Sequence, residues 1–431
     1  MIIRNILSTG AVRLLNAVSG FVLLWLATNG MGAAAWGVSG LILLNVTLLI
    51  MLAEMVSNAV VYYSSRRNVM SLMRLSIGFA MALEVLFSVS FFALSFFPSL
   101  FHLLVPQGYA IHILVLVGLG SLHNINLYLL LGRERIGAFN TLFLLQFLSQ
   151  LVAMAAALHL FAIRDERAYV VSLYASYLVP LAVAYPLYIF PLLRSGKQLP
   201  HASFRELIAF GSLTQTSSFV HMLNRRLSFY VIRYFTGNAA LGVFNSGVQL
   251  TEGFRLIGHS IALVQFSSIS NSTDDQYALR LTIKLMKLSF LLTLFFLILL
   301  LLVPSSVFGW LFSREFGEIR IVVAGLAPGV LALSVNAIFS HYFSGTGRPK
   351  YNLYASLTGF AVVVPALYLL VPPLGILGGA LAASMAYAAS AAYQLLIFTR
   401  LNNTPLRDWL PGKEELIQLK QLIQRSFGKQ A

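Results

Sequence analysis

LIAFGSLTQTSSFVHMLNRRLSFYVIRYF, running from Leu207 to Phe235, has the length of a membrane-spanning helix yet holds two adjacent arginines, Arg225 and Arg226. Burying a guanidinium at bilayer depth costs roughly 2.5–3.5 kcal/mol on insertion scales. A chain accepts that cost where the charge faces water, a counter-ion or an anionic substrate. The stretch therefore predicts an all-α integral membrane protein with a polar, cationic interior.

The rest of the chain agrees. It has 431 residues, of which 58% are hydrophobic and 10% charged, with a mean hydropathy of +0.82. That composition fits an integral membrane protein. Apolar runs predict twelve spans, near 12–29, 36–62, 74–97, 111–131, 138–161, 169–190, 207–235, 239–266, 283–312, 319–345, 351–371 and 376–399. They are too long and too uniformly apolar for barrel strands, so they are read as helices. There is no cysteine, which excludes disulfides, thiolate zinc and thiol catalysis. The first run contains Arg13 and lacks a small-residue cleavage site, so it reads as the first span rather than a signal peptide.

The net charge of +15 is informative through its placement. With a cytoplasmic N-terminus, twelve spans leave only Arg164, Arg167, Arg314 and Arg320 on the outer side. Four more lie within spans: Arg225, Arg226, Arg233 and Arg255. The other 21 Lys and Arg are cytoplasmic. This is a strong positive-inside bias, and it places both termini in the cytoplasm. No loop is long enough for a soluble domain, and the charge gives no reason to expect a nucleic-acid partner. In the tail, residues 401–431, Leu416, Leu419, Leu422 and Ile423 share a helical face. The tail is either an amphipathic helix on the inner leaflet or a solvated basic segment.

The two halves resemble one another. GAAAWGVSGLILLNVTLLI (Gly32–Ile50) parallels GNAALGVFNSGVQLTEGFRLI (Gly237–Ile257), and LLGRERIGAFN (Leu130–Asn140) parallels FSGTGRPKYNL (Phe343–Leu353). Six spans per half make this a parallel repeat about an axis along the membrane normal. The expected organisation is an N-terminal six-helix lobe (1–193), a basic linker (194–206) and a C-terminal six-helix lobe (207–400).

At 100° per residue, Thr214, Ser217, Ser218, His221, Asn224, Arg225 and Ser228 fall within about 120° of arc on span 7. This stripe is read as lining a cavity. Arg226 lies about 100° away, so the two arginines are not expected to point together; it is either a second cavity cation or one partner of an inter-helix ion pair. Asn245, Gln249, Glu252, Arg255 and His259 share a face of span 8. Glu252 and Arg255, at i and i+3, are either a self-neutralising pair or a protonatable switch beside a second anion contact. His259 is a candidate for proton transfer or a hydrogen-bonded core residue. In the first half, Glu54 in span 2 and Glu84 in span 3 are ion-coupling candidates or counter-ions for the excess arginines. Arg13 either meets an anion at the cytoplasmic mouth or snorkels to the headgroups.

The repeat elements together with LNRRLSFYVIRYFTG, LFSREFGEI and YFSGTGRPKYN resemble the polysaccharide-transport branch of the multidrug/oligosaccharidyl-lipid/polysaccharide exporter superfamily. The resemblance runs through all twelve spans in order. It implies a MATE-like fold of two six-helix lobes in the bacterial inner membrane. It also implies a flippase that moves an undecaprenyl-pyrophosphate-linked O-antigen, capsule or exopolysaccharide unit from the cytoplasmic to the periplasmic leaflet by alternating access. Membrane lipids, a polysaccharide polymerase and chain-length proteins are the implied partners. Members often carry an aspartate in span 7, where this chain has Asn224-Arg225-Arg226.

That chemistry suits the residues. Arginine offers a planar fork of donors to a pyrophosphate, and Ser217, His221, Asn224 and Ser228 suit sugar hydroxyls. No Walker sequence is present, and no cofactor or metal is expected. The competing functions are a peptidoglycan-precursor flippase, a cation-coupled multidrug antiporter and a membrane-embedded glycan polymerase or ligase. The antiporter predicts an acidic cavity, and the polymerase or ligase predicts a long outer loop, which this chain lacks.

Overall fold

The computed structural model describes residues 2–64, 66–194, 199–270 and 274–404; a minority of side chains within those segments, Arg255 and His259 among them, fall outside the description. Every regular element among the described residues is helical: α1 (Ile2–Gly30), α2 (Gly32–Tyr63), α3 (Val69–Ser95), α4 (Pro98–Leu104), α5 (Ala110–Gly132), α6 (Ile136–His159), α7 (Glu166–Ala184), α8 (Phe190–Arg194), α9 (Phe204–Ser270), α10 (Asp275–Leu301), α11 (Ser305–Phe312), α12 (Ile319–Gly345) and α13 (Lys350–Asn402). One π-turn, Tyr185–Ile189, joins α7 to α8 at Pro186. The segment around Leu416–Ile423 lies outside the described residues.

Nine helical stretches among the described residues are long and apolar enough to cross a membrane. The 53-residue α13 is broken by non-helical Gly375. The 67-residue α9 is broken by non-helical Gly237. Large apolar side chains on α3, including Met81, Val85, Val89 and Phe92, are more than half exposed. Such a surface is stable when lipid replaces water. The chain is a multi-pass membrane protein.

Two compact units are present. The first comprises Met1–Phe219, Thr236–Asn245 and Leu311–Phe316; the second comprises Val220–Phe235, Ser246–Trp310 and Gly317–Ala431.

Within the first unit, Val60, Val69, Leu130, Leu142 and Ile189 form a core that ties α2, α3, α5 and α6 to the α7–α8 segment. The start of α9 is strapped to the turn after α2: Asn68 N donates to Pro200 O (3.0 Å), Ala202 N to Ser71 Oγ (2.8 Å), and Arg67 pairs with Glu206 (3.0 Å). Arg67 holds the Glu206 carboxyl below its ordinary range by hydrogen bond and charge.

The sequence repeat reappears as a physical contact. Gly32 (φ +78°) and Gly237 (φ +87°) occupy matching positions and share a positive φ that a side chain would strain. Five residues on, a Cβ added to Gly37 would stand 2.0 Å from Asn238 O, and one added to Gly242 would stand 1.9 Å from Ala33 O. Each glycine thus meets the other element's first turn, a reciprocal contact in which only hydrogen fits. Glu315 completes the corner by accepting a hydrogen bond from Ala33 N (2.6 Å) at the open end of α2.

Span 9, expected over 283–312, is divided. α10 ends at Leu301, and Pro304 stops the helix before α11 begins at Ser305. A proline has no amide to extend the ladder and disfavours helix at the preceding residue. The first half does the same: α3 ends at Ser95, and α4 opens on Pro98.

In the second unit, α12 and α13 approach closely at small residues. A Cβ on Gly325 would lie 2.8 Å from that of Ala380, and one on Gly329 would lie 2.6 Å from Ser384 Cα. The Ser384 hydroxyl donates to Gly325 O (2.6 Å) and accepts from Gly329 N (3.1 Å), which serves the α12 backbone around Pro328. Phe339, Phe343 and Phe398 fill the adjoining core.

Candidate functional site

The cationic site is built from the two arms of α9. The arms reverse at Gly237, which brings residues 225 and 226 onto residue 252 within the second unit. Arg225 Nη2 donates to Glu252 Oε1. Arg226 Nη2 lies 2.9 Å from Oε2 and 2.9 Å from Oε1. The side chains of Arg225, Arg226 and Glu252 retain 9%, 15% and 25% of their surface. The carboxylate is therefore the most open member of the cluster. The Arg226 guanidinium also sits 5.1 Å from the Phe229 ring centroid.

This corrects the helical-wheel expectation that the two arginines face apart. The wheel fixes Cβ directions about 100° apart, but a guanidinium is several bonds further out. One carboxylate on the second arm lies within reach of both. Removing one partner from a buried pair typically costs 3–5 kcal/mol, because the other charge is left uncompensated. Among the described side chains one acid faces two bases here, so a formal charge of +1 remains.

A small cavity opens on this cluster. Arg225, Glu252, Thr251 and Tyr387 form its polar end, and Val248, Leu326, Val330 and Leu333 form its apolar wall. Thr251 turns its hydroxyl to Gly247 O and Val248 O of its own helix. Charge is thus presented mainly by Arg225 and Glu252, beside an aliphatic surface.

The other stripe residues are distributed differently. Asn224 is 1% exposed. Its amide donates to Ser356 O (2.7 Å) and packs against Gly359, joining α9 to α13. Ser228 is fully buried, and His221 is half-buried. Thr214, Ser217 and Ser218 fall in the first unit, and His221, Asn224 and Ser228 in the second. The side chains of Arg255 and His259 lie outside the described residues, so the predicted Glu252–Arg255 pair does too.

In the first unit, Glu54 Oε1 accepts from Asn124 Nδ2 (2.8 Å) and from Tyr128 Oη (3.4 Å). Gln215 also reaches this carboxylate while donating to Met51 O (2.5 Å). Glu54 is thus surrounded by neutral donors from α5 and α9. Glu84 is half-buried on α3 and faces Gly118 of α5. Arg13 is exposed on α1. The structure gathers Arg225, Arg226 and Glu252 at one place, with Glu54, Glu84 and Arg13 elsewhere.

Sequence reasoning passed over Tyr387 and Thr251. The available signal was a lone tyrosine within the small-residue run GGALAASMAYAAS (Gly378–Ser390), where close helix packing carries a large side chain to a neighbour. Asn124 and Tyr128 sit one turn apart on α5, but Glu54 lies on α2 and Gln215 on α9, so the convergence of the three on Glu54 has no local signal.

The chain matches the polysaccharide biosynthesis protein family over residues 82–321, more than half its length. It is 24% identical over 183 residues to the capsular polysaccharide biosynthesis protein CapF of Staphylococcus aureus, covering 42% of this chain and 46% of that protein. The aligned region therefore spans about half of that relative. Among solved structures, the lipid II flippase MurJ in an inward closed conformation is similar with a TM-score of 0.72 at 14% identity, covering 99% of this chain and 93% of that one. An inward-facing multidrug resistance MATE family transporter of the MOP superfamily gives 0.69 at 14%, covering 90% and 96%. A MOP superfamily transporter from Pyrococcus furiosus, noted for the reverse polarity of its binding pocket, gives 0.60 at 14%, covering 92% and 93%. The solved structures share the fold, and the family match completes the assignment: the chain belongs to the polysaccharide biosynthesis protein family, in the polysaccharide-transport branch that its repeat and loop elements resemble.

Proposed function

We propose that this protein is a flippase that carries an undecaprenyl-pyrophosphate-linked oligosaccharide from the cytoplasmic to the periplasmic leaflet of a bacterial inner membrane by alternating access. The observation that carries the reading is the surplus cation of the Arg225–Glu252–Arg226 cluster at the end of an aliphatic cavity. A pyrophosphate diester brings two negative charges and a lipid tail, and such a cavity offers a guanidinium and an apolar wall to match. A cationic drug would meet repulsion there.

Twelve spans, with both termini cytoplasmic, are part of the same reading. The nine long apolar stretches, the two arms of α9 and the break in α13 at Gly375 support the number. The lobes are residues 1–193 and 207–400, joined by 194–206. Arg225 takes the phosphate, and Arg226 assists through the shared carboxylate. Asn224 and Ser228 shape the helix contacts behind it. Glu54, held by neutral donors, is the coupling group for a cation gradient, with Glu84 on α3 as a second candidate. Arg13 serves the cytoplasmic entrance.

The test is deletion in the host followed by mass analysis of lipid-linked glycans. An inner-leaflet undecaprenyl-pyrophosphate oligosaccharide should accumulate. Restoring wild type should clear it, and Arg225→Ala should not, at equal membrane levels. Normal surface glycan with Arg225→Ala would sink the assignment. A peptidoglycan-precursor flippase is the second reading, favoured by the likeness to MurJ over 99% of this chain. Accumulation of that precursor instead would select it.

A further inference from the structure

We propose that Glu252 is a built-in surrogate for the substrate's phosphate: it holds the Arg225 and Arg226 guanidiniums until an oxyanion of higher charge displaces it, and it retakes them to expel that oxyanion. This rests on the reading of the site as a pyrophosphate-lipid cavity. The two arginines converge on both oxygens of one carboxylate. A phosphate presents its oxygens to guanidinium donors in the same bidentate manner. The carboxylate is the most open of the three side chains and lies on the cavity wall, whereas the arginines are almost enclosed.

Electrostatics sets the direction of exchange. A single carboxylate leaves the pair one positive charge in excess, and a doubly charged pyrophosphate diester neutralises it. Displacement does not strand Glu252, because a quarter of its side-chain surface is already exposed. Arg225 and Arg226 from the first arm of α9 hold it, and Tyr387 from α13 lines the same cavity. The contribution of α12 to the cavity, Leu326, Val330 and Leu333, is apolar. The exchange is a competition between two anions for one cationic clamp and needs no bond to form or break. It gives an inward and an outward half-cycle a common resting state with the clamp occupied, so an empty carrier moves one surplus positive charge rather than two.

The experiment is equilibrium binding to the purified full chain in lipid nanodiscs, with inorganic pyrophosphate in one arm and undecaprenyl pyrophosphate in the other. Glu252→Gln removes the competing charge and keeps the shape. It should bind both anions about tenfold more tightly than wild type, equivalent to roughly 1.4 kcal/mol, while single-turnover release slows. Glu252→Asp keeps the charge but retracts it by one methylene; it should bind with intermediate affinity, and it guards against poor folding of the glutamine variant. Unchanged or weaker binding in both folded variants overturns the proposal and leaves the flippase reading intact. Tighter binding of inorganic pyrophosphate alone, with no lipid bound by any form, supports the surrogate and overturns the lipid substrate. No anion binding in any form overturns both.

Discussion

Gly242→Ala probes the contact through which the two repeats meet. The methyl would stand 1.9 Å from Ala33 O, 2.8 Å from Ala33 C and 3.1 Å from Gly37 N. All three are backbone atoms in the first turns of α2, so no side chain can rotate aside. Relief requires one helix to withdraw by more than 1 Å relative to the 3.0–3.4 Å at which a Cβ begins to be tolerated. Overpacking of this kind typically costs 1–3 kcal/mol. The upper end applies here, because withdrawal also disturbs the reciprocal approach of Gly37 to Asn238 O. Working against it is the gain of about 1 kcal/mol for alanine over glycine within a helix. The net expectation is a loss of about 1–2 kcal/mol. The assay is thermal unfolding of the purified protein in one detergent, with Gly20→Ala as the reference. Gly20 lies on α1 with nothing within 4 Å of an added methyl, so its variant should equal or exceed wild type. Gly37→Ala should behave like Gly242→Ala, and the double variant should lose less than the sum, since one withdrawal relieves both clashes. Equal melting of the Gly242 and Gly20 variants would refute the close approach.

Two further outcomes follow from the first unit. Glu54→Gln should retain hydrogen bonding to Asn124 and lower glycan export at least tenfold, by about 1.4 kcal/mol in the limiting step, without loss of melting temperature; unchanged export would remove Glu54 from the coupling path. The Arg67–Glu206 strap should weaken in acid. Arg67 depresses the Glu206 carboxyl when folded, so the pair stabilises above the free value of 4.5 and is lost as pH falls through the lowered folded value. Hydrogen exchange of the amides of Ala202 and Ser203 should therefore accelerate below that range in wild type, beyond the intrinsic pH trend. Glu206→Gln should already be fast at neutral pH and show no such step.

Much of the architecture was legible because lipid removes alternatives. Runs of some 20 apolar residues must close their own hydrogen bonds, so hydropathy alone predicts helices. The repeat was legible because its elements bear glycines with a backbone task. Gly32 and Gly237 both take a positive φ, and Gly37 and Gly242 fit the same tight contact. Hydropathy failed where a helix stays apolar across a stop. The run 283–312 contains its own terminator in Pro304, followed by Ser305 and Ser306, but the long apolar stretches before and after it average these few residues away.

The site was legible in part, and the boundary has a physical cause. Spacing along one helix gives directions at Cβ, which suffices for short side chains. Asn224 and Arg225 were assigned to one stripe, yet in the fold Asn224 turns to Ser356 and only Arg225 reaches the cavity. The arginine that the wheel set aside, Arg226, joins its neighbour because both chains are long and their shared partner comes from the other arm of α9. The reversal at Gly237 decides that pairing. A buried charge identifies a place where something must compensate it. The compensating group belongs to whichever arm the fold brings alongside, and in this chain a single glutamate answers two arginines, leaving the surplus cation on which the anionic substrate class rests.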